Sequence, residues 1–178
     1  VYAQGKAQYL TIQDPGTMDI GAIRQRCSKS VDVTSLYSSF SAMGLDYGLA
    51  FRTIRTLMTG HNEVLAQLRL DESMSTHDKE SYGIHPSLVE GALQTIAGLV
   101  ADPNVASSSP YVPFAVERVH IRHKLPANIW VHARPATKGD KGRGGGVKRF
   151  NLLLADANSR LLAEINGFSV RMLPAIDD

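Results

Sequence analysis

Apolar residues recur along the chain in two rhythms, and their alternation predicts the elements. Ile20, Ile23 and Cys27 fall at helical spacing within residues 18–27; Leu36, Phe40 and Met43 repeat that spacing over 32–43, which ends at Gly44, a natural helix stop. Two strand-like runs follow, 52–58 and 63–70, joined by Thr59-Gly60-His61-Asn62, which is hairpin chemistry. Residues 71–81 are polar and read as a loop. Pro86 then suits a first helical turn, where its missing N–H is harmless. Leu88, Ala92, Ile96 and Leu99 continue from it in steps of three or four until residues 103–110 break the helix. Four extended runs complete the chain, 111–123, 129–134, 147–156 and 161–173, with turns at 124–128, at a glycine-rich segment and at 157–160. Residues 1–10 alternate loosely and read as a strand that begins abruptly, with a turn signal at Asp14-Pro15-Gly16.

Two strands, a buried helix and four more strands predict an α+β fold of the hot-dog kind, an antiparallel sheet wrapped round one apolar helix. The opening in mid-strand predicts a piece of a longer polypeptide. The chain divides into residues 1–13, the end of a preceding lobe or linker, and 14–178, the hot-dog lobe itself.

Composition narrows the classes. With 178 residues, 43% of them hydrophobic and 20% charged, the chain can bury roughly two-thirds of its unfolded surface, as one globular domain does. No stretch approaches the roughly 18 uncharged apolar residues of a membrane span, and residues 1–10 lack the pattern of a signal peptide. A single cysteine, Cys27, excludes an internal disulfide framework, and its place on a helical apolar stripe makes it core rather than nucleophile. A cytoplasmic protein that spans no membrane is expected. Lys138, Lys141, Arg143, Lys148 and Arg149 cluster against the one acid Asp140, leaving the rest of the chain net acidic. One basic loop without stacking aromatics or a recognition helix does not predict nucleic-acid binding; it reads as a solvated loop, with attraction of an acidic protein as the alternative. His120 and His123 face opposite sides of a strand, so no metal site is expected. Trp130 reads as a sheet residue packed on its neighbour.

Candidate chemistry concentrates on the helix after Pro86. Glu90 and Gln94 are one turn apart, so their side chains share a face and can meet. A carboxyl group in an apolar tunnel is pushed toward its protonated form by desolvation, which suits a general acid, and Gln94 can orient it without competing for the proton. Gly91 leaves room for a ligand or another backbone to approach. The plainer alternative is an exposed helix acid.

Residues 82–94 read Tyr-Gly-Ile-His-Pro-Ser-Leu-Val-Glu-Gly-Ala-Leu-Gln, which resembles the HPaLLDaalQ signature of dehydratase domains in modular polyketide synthases. Residues 44–51, Gly-Leu-Asp-Tyr-Gly-Leu-Ala-Phe, are similar to their GxxYGPxF segment, residues 111–114, Tyr-Val-Pro-Phe, to a yvPF strand, and residues 165–171 to a last strand. Residues 1–5 resemble the strand that closes the preceding lobe. Leu36-Tyr37 and residues 62–66 most resemble synthases that receive their acyltransferase in trans.

The resemblance implies the second, C-terminal lobe of a double hot dog. In that family a first lobe supplies a histidine, in an HxxxGxxxxP motif, that removes the α-proton of a 3-hydroxyacyl thioester. The second lobe supplies an aspartate that protonates the leaving hydroxyl. None of the six histidines here has the first-lobe spacing. The implied catalytic set is Glu90 in the aspartate's place, Gln94, and Tyr47, which bonds the hydroxyl or Glu90 or else serves as a core tyrosine. His85, Gly91, Pro113 and Phe114 are the implied substrate-binding positions, His85 chiefly orienting the helix start. No cofactor is bound directly; the substrate rides on the phosphopantetheine of an acyl carrier protein. The implied partners are that carrier, the ketosynthase and other domains of the synthase, and an N-terminal lobe or a second copy of this chain, whose absence would leave an apolar patch exposed. Glu for Asp and Leu49 for the family proline keep three outcomes open: dehydration, another reaction on a carrier-bound chain (double-bond shift, pyran closure, assistance to β-branching), and a non-catalytic scaffold.

Overall fold

The computed structural model describes residues 4–9, 16–73, 81–100, 110–136 and 146–173. In chain order these form helix α1 (Ile20–Arg26), strand β1 (Lys29–Val31), helix α2 (Val33–Ala42), a 3-10 turn (Leu49–Phe51), strands β2 (Ile54–Gly60) and β3 (Glu63–Arg69), and helices α3 (Pro86–Gln94) and α4 (Ala97–Val100). Strands β4 (Tyr111–Ala115), β5 (Arg118–Ile121), β6 (Asn128–Pro135), β7 (Val147–Ala155) and β8 (Leu161–Met172) complete the set. All pair antiparallel in one sheet, ordered β1-β2-β3-β6-β7-β8-β4, with β5 also on β8.

Strand alternation divides the interior in two. Val64, Ala66 and Leu68 of β3 and Ile129, Val131 and Ala133 of β6 face the core that holds Leu88, Ala92 and Ile96. Leu65 and Trp130 point to the other face, where Met18, Ile23 and Cys27 of the α1 region cover them. Cys27 is fully buried there, and desolvation pushes its thiol up. Arg24 lies 4.8 Å from the centre of the Trp130 ring. Between these layers, Glu63 accepts from Arg26 at 2.7 Å and lies 2.9 Å from His132 Nε2, tying α1 to β3 and β6.

Four expectations are corrected. Residues 4–9 belong to no strand; 1–3 and 10, the rest of that expectation, lie outside the described residues, as do the glycine-rich connection at 142–145 and most of loop 71–81. The short β1, with only Val31 half-buried, carries no legible period and becomes a strand by pairing with β2. The single run 111–123 is two strands. Gly167 takes φ +65 in β8, opposite the point where pairing passes from β4 (Ala115 with Ser169) to β5 (Arg118 with Asn166). The long helix also divides after Gln94, where Thr95 Oγ1 bonds back to the Ala92 carbonyl at 2.7 Å.

Candidate active site

Helix α3 starts where sequence chemistry places it. Pro86 occupies the first turn, and His85 caps it: its Nδ1 accepts the Ser87 N–H at 3.2 Å, and Tyr82 packs edge-on at 5.3 Å. Gly91 then brings the helix onto the sheet. A Cβ at this position would fall 2.0 Å from Thr53 Oγ1 and 2.9 Å from Leu68 Cδ2. Thr53, 1% exposed, donates to the Ser87 carbonyl at 3.2 Å and so fastens the same turn.

That close approach turns Glu90 and Gln94 toward the aromatic face of α2 and the segment 47–52. Gln94 is buried; its Oε1 accepts from the Tyr37 hydroxyl at 3.1 Å and its Nε2 donates to the Phe51 carbonyl at 3.3 Å. Tyr47 is half-buried and lies near enough to Glu90 to feel its charge. Desolvation first, then the nearby Glu90 carboxyl, push the Tyr47 phenol up to about 12, against a smaller opposing pull from Gln94. Burial likewise pushes Tyr37 up. Both phenols therefore keep their protons at neutral pH and can donate. Tyr37, Phe40 and Tyr47 pack as a cluster of tilted and edge-on rings, the Phe40–Tyr47 centroids 5.3 Å apart. Arg52 braces it, with Nε 2.8 Å from the Tyr47 carbonyl oxygen and the guanidinium 5.5 Å from the centre of the Tyr37 ring. A cleft of about 430 Å³ opens beside the cluster between α2 and the start of β2; Tyr37, Leu49, Arg52 and Arg55 line it, and Glu90 does not.

Residues 15–177 match the family model described as the polyketide synthase dehydratase N-terminal domain. The chain belongs to the polyketide synthase dehydratase family. It is 30% identical over 174 residues to the polyketide synthase PksN of Bacillus subtilis (strain 168), covering 97% of this chain and 3% of PksN. A dehydratase domain of a trans-AT polyketide synthase from Brevibacillus brevis is 28% identical, with a TM-score of 0.78 over 89% of this chain and 54% of that one. The dehydratase domain of the CurK module of curacin polyketide synthase, at 23% identity, superposes with a TM-score of 0.79 over 94% of this chain and 56% of its own, which establishes the hot-dog fold. An aspartate-to-asparagine and a histidine-to-phenylalanine form of the CurK domain are both described as inactive. This dehydratase-family chain thus spans about half of those domains and a few per cent of the curated synthase PksN.

Of the residues singled out in the sequence, Glu90, Gln94 and Tyr47 come together. Gln94, however, directs its two amide ends to Tyr37 and Phe51 rather than to Glu90. The expectation for Gly91 is corrected: the sheet, not a ligand, takes the space beside it. His85 is 4% exposed with Nδ1 engaged as the helix cap. Pro113 and Phe114 do not join the cluster. They lie exposed on β4, which β6, β7 and β8 separate from β3 in the sheet order, and Phe114 lies under Arg171 at 4.1 Å. Sequence reasoning named Tyr37 only as part of a likeness. The usable signal was a tyrosine on the apolar stripe of α2, since a buried phenol needs a polar partner. No helix among the described residues is long and apolar enough to cross a membrane.

Proposed function

We propose that this chain is the second lobe of a double hot-dog dehydratase domain. Its substrates are β-hydroxyacyl or enoyl thioesters on the phosphopantetheine arm of an acyl carrier protein, with Glu90 in the place of the family's acid. The observation that carries this is the convergence of Glu90, Gln94 and Tyr47 on the helix that bears the family signature. The lobe assignment rests on that signature and on the spacing of the histidines, although the matching family model is described as an N-terminal domain.

In this reading a histidine of the preceding lobe removes the α-proton of the thioester. The electron pair forms the α–β double bond as the β-carbon–oxygen bond breaks, and Glu90 delivers a proton to the departing hydroxyl, which leaves as water. Tyr47, protonated at working pH and close to Glu90, is placed to donate to the substrate hydroxyl or to that carboxyl during the reaction. Histidine as base and aspartate as acid are consistent with the two inactive CurK forms. His85 does not serve as the base, because its buried ring caps α3. Phe114, Val116, Val119 and Ile121 are each 46–56% exposed along the β4–β5 edge, and Met172 and Leu173 are exposed beside them. Such an apolar margin suits the preceding lobe or a second copy.

A second reading is favoured by Glu90 itself. One methylene more than aspartate displaces the carboxyl by roughly a bond length, and misplacement of about 1 Å can cost about 10²-fold in rate. A double-bond shift, pyran closure or assistance to β-branching tolerates that displacement differently. A pure scaffold is disfavoured by the intact hydrogen-bonded cluster. The deciding experiment presents a 3-hydroxyacyl carrier protein to the polypeptide extended upstream of Val1 and follows the acyl arm by mass spectrometry. Loss of one water, abolished by Glu90→Gln, is the expected result. An unchanged mass excludes dehydration of that substrate and moves the test to enoyl chains.

A further inference from the structure

We infer that the cleft between α2 and the start of β2 is a binding site for an organic phosphate ester, whose phosphate lies between Arg52 and Arg55. The cleft holds about 430 Å³, room for a small organic molecule rather than a lone ion. Both arginines are exposed on it, and among the described residues neither forms an ion pair. Arg52 is already set in place. Its Nε donates to the Tyr47 carbonyl at 2.8 Å and its guanidinium lies over the Tyr37 ring, which leaves the two Nη groups for a ligand. Two guanidiniums on one cleft repel each other until an anion comes between them. One guanidinium fork satisfies a planar carboxylate, whereas a tetrahedral phosphate offers oxygens to two forks at once.

The rest of the lining suits the organic part of such an ester. Val33, Leu49 and Ile54 give it apolar wall, and Thr34 and Ser38 add hydroxyls. Tyr37 presents its ring, since its hydroxyl is bonded to Gln94. A free phosphate would leave all of this surface unused. Asp71, the one acid of the lining, is engaged in its own loop, where it accepts the Ser73 N–H at 2.8 Å and the Ser73 hydroxyl. The first turn of α2 takes no part, because Asp32 already accepts the Thr34 and Ser35 N–H groups. Glu90 does not line the cleft, so this site is independent of the chemistry proposed for that residue. The phosphopantetheine arm of a carrier protein is one ester of this class, and a free nucleotide is another.

The test titrates the polypeptide extended upstream of Val1 with phosphopantetheine, with adenosine diphosphate, with pantetheine, which lacks the phosphate, and with inorganic phosphate, by calorimetry and NMR. At least one of the two esters should bind saturably and shift the Ser38 and Arg55 backbone amides. Whichever binds more tightly names the source, the carrier's arm or a nucleotide. Pantetheine and inorganic phosphate should each bind about tenfold or more weakly than that ester. Arg55→Gln removes an exposed side chain with no ion pair to lose, and it should weaken the ester by about tenfold. Arg134→Gln removes the same charge at the opposite end of the strands, beyond the Val64–Ala133 pair, and should leave the affinity within about twofold. Saturable binding of neither ester overturns the inference. So do pantetheine binding as tightly as phosphopantetheine where the arm is the tighter ester, and equal losses in Arg55→Gln and Arg134→Gln. Inorganic phosphate binding as tightly as the ester means an adventitious ion only, which overturns it as well. Glu90→Gln keeps this site and the acid apart: it should leave ester binding unchanged whether or not it abolishes water loss.

Discussion

Gly91 is the residue on which the site geometry turns. The glycine lets α3 lie against Thr53 and Leu68, and any side chain there meets the Thr53 hydroxyl, itself held to the Ser87 carbonyl. Overpacking of this kind costs about 1–3 kcal/mol. Gly91→Ala should therefore lower stability by that amount in urea unfolding, and Thr53→Ala should recover part of the loss, since it removes the atom in closest conflict. An additive double substitution would mean that the helix escapes by moving elsewhere. The same reasoning explains why Gly91 is a poor candidate for touching substrate: the space its missing side chain leaves is already filled by the protein.

At the scale of elements, the 3-10 turn at Leu49–Phe51 shows how the site tolerates the loss of the family proline. Gly48 sits at φ −67 and ψ 163, the extended conformation that a residue before proline prefers. The turn closes by Phe51 N–H to the Gly48 carbonyl at 2.9 Å and Arg52 N–H to the Leu49 carbonyl at 3.1 Å, neither of which uses the Leu49 N–H. Leu49 is 76% exposed and contributes little packing. Leu49→Pro should thus stabilise the fold by about 0.4–1 kcal/mol through the unfolded chain. A raised urea midpoint with an unchanged m-value is the expected observation, and a lowered midpoint would mean that the turn requires the leucine. Arg52 and the Phe51 carbonyl, the two groups this turn delivers to the aromatic cluster, keep their places in either case.

Across the whole molecule, the tie between the two layers is acid-sensitive. Burial, the leading cause, holds His132 below the usual histidine value, against the smaller upward pull of Glu63. The Arg26 hydrogen bond, first among several causes, holds Glu63 below the usual carboxylate value. In both cases the unfolded chain takes up the proton first. The His132 contribution is complete above its unfolded value of 6.5 and is lost as pH falls through and below it; that of Glu63 is complete above 4.5 and lost on further acidification. Arg134 and Arg26 reinforce the resistance of His132 to protonation. The melting temperature should accordingly drop between pH 7 and pH 5, and His132→Gln, which retains a donor for Glu63, should shrink that drop. An equal drop in the variant would assign it to other groups.

Near-neighbour chemistry determined most of what the sequence alone could state. Strand and helix runs, the cap and proline at the start of α3, the β2–β3 hairpin and the shared face of Glu90 and Gln94 all follow from residues within a few positions of one another, where propensity and periodicity act. The motif residues also carried the family and the hot-dog fold. What only the tertiary structure decided depends on residues far apart in the chain. Tyr37 meets Gln94 across 57 positions, and Glu63 meets His132 across 69. The division of run 111–123 falls opposite Gly167 of the partner strand β8, and the space at Gly91 is filled by Thr53 and Leu68. Periodicity records which side of an element is apolar, but a hydrogen bond has a direction and needs a partner at one distance. Those partners are chosen only when the sheet closes round α3.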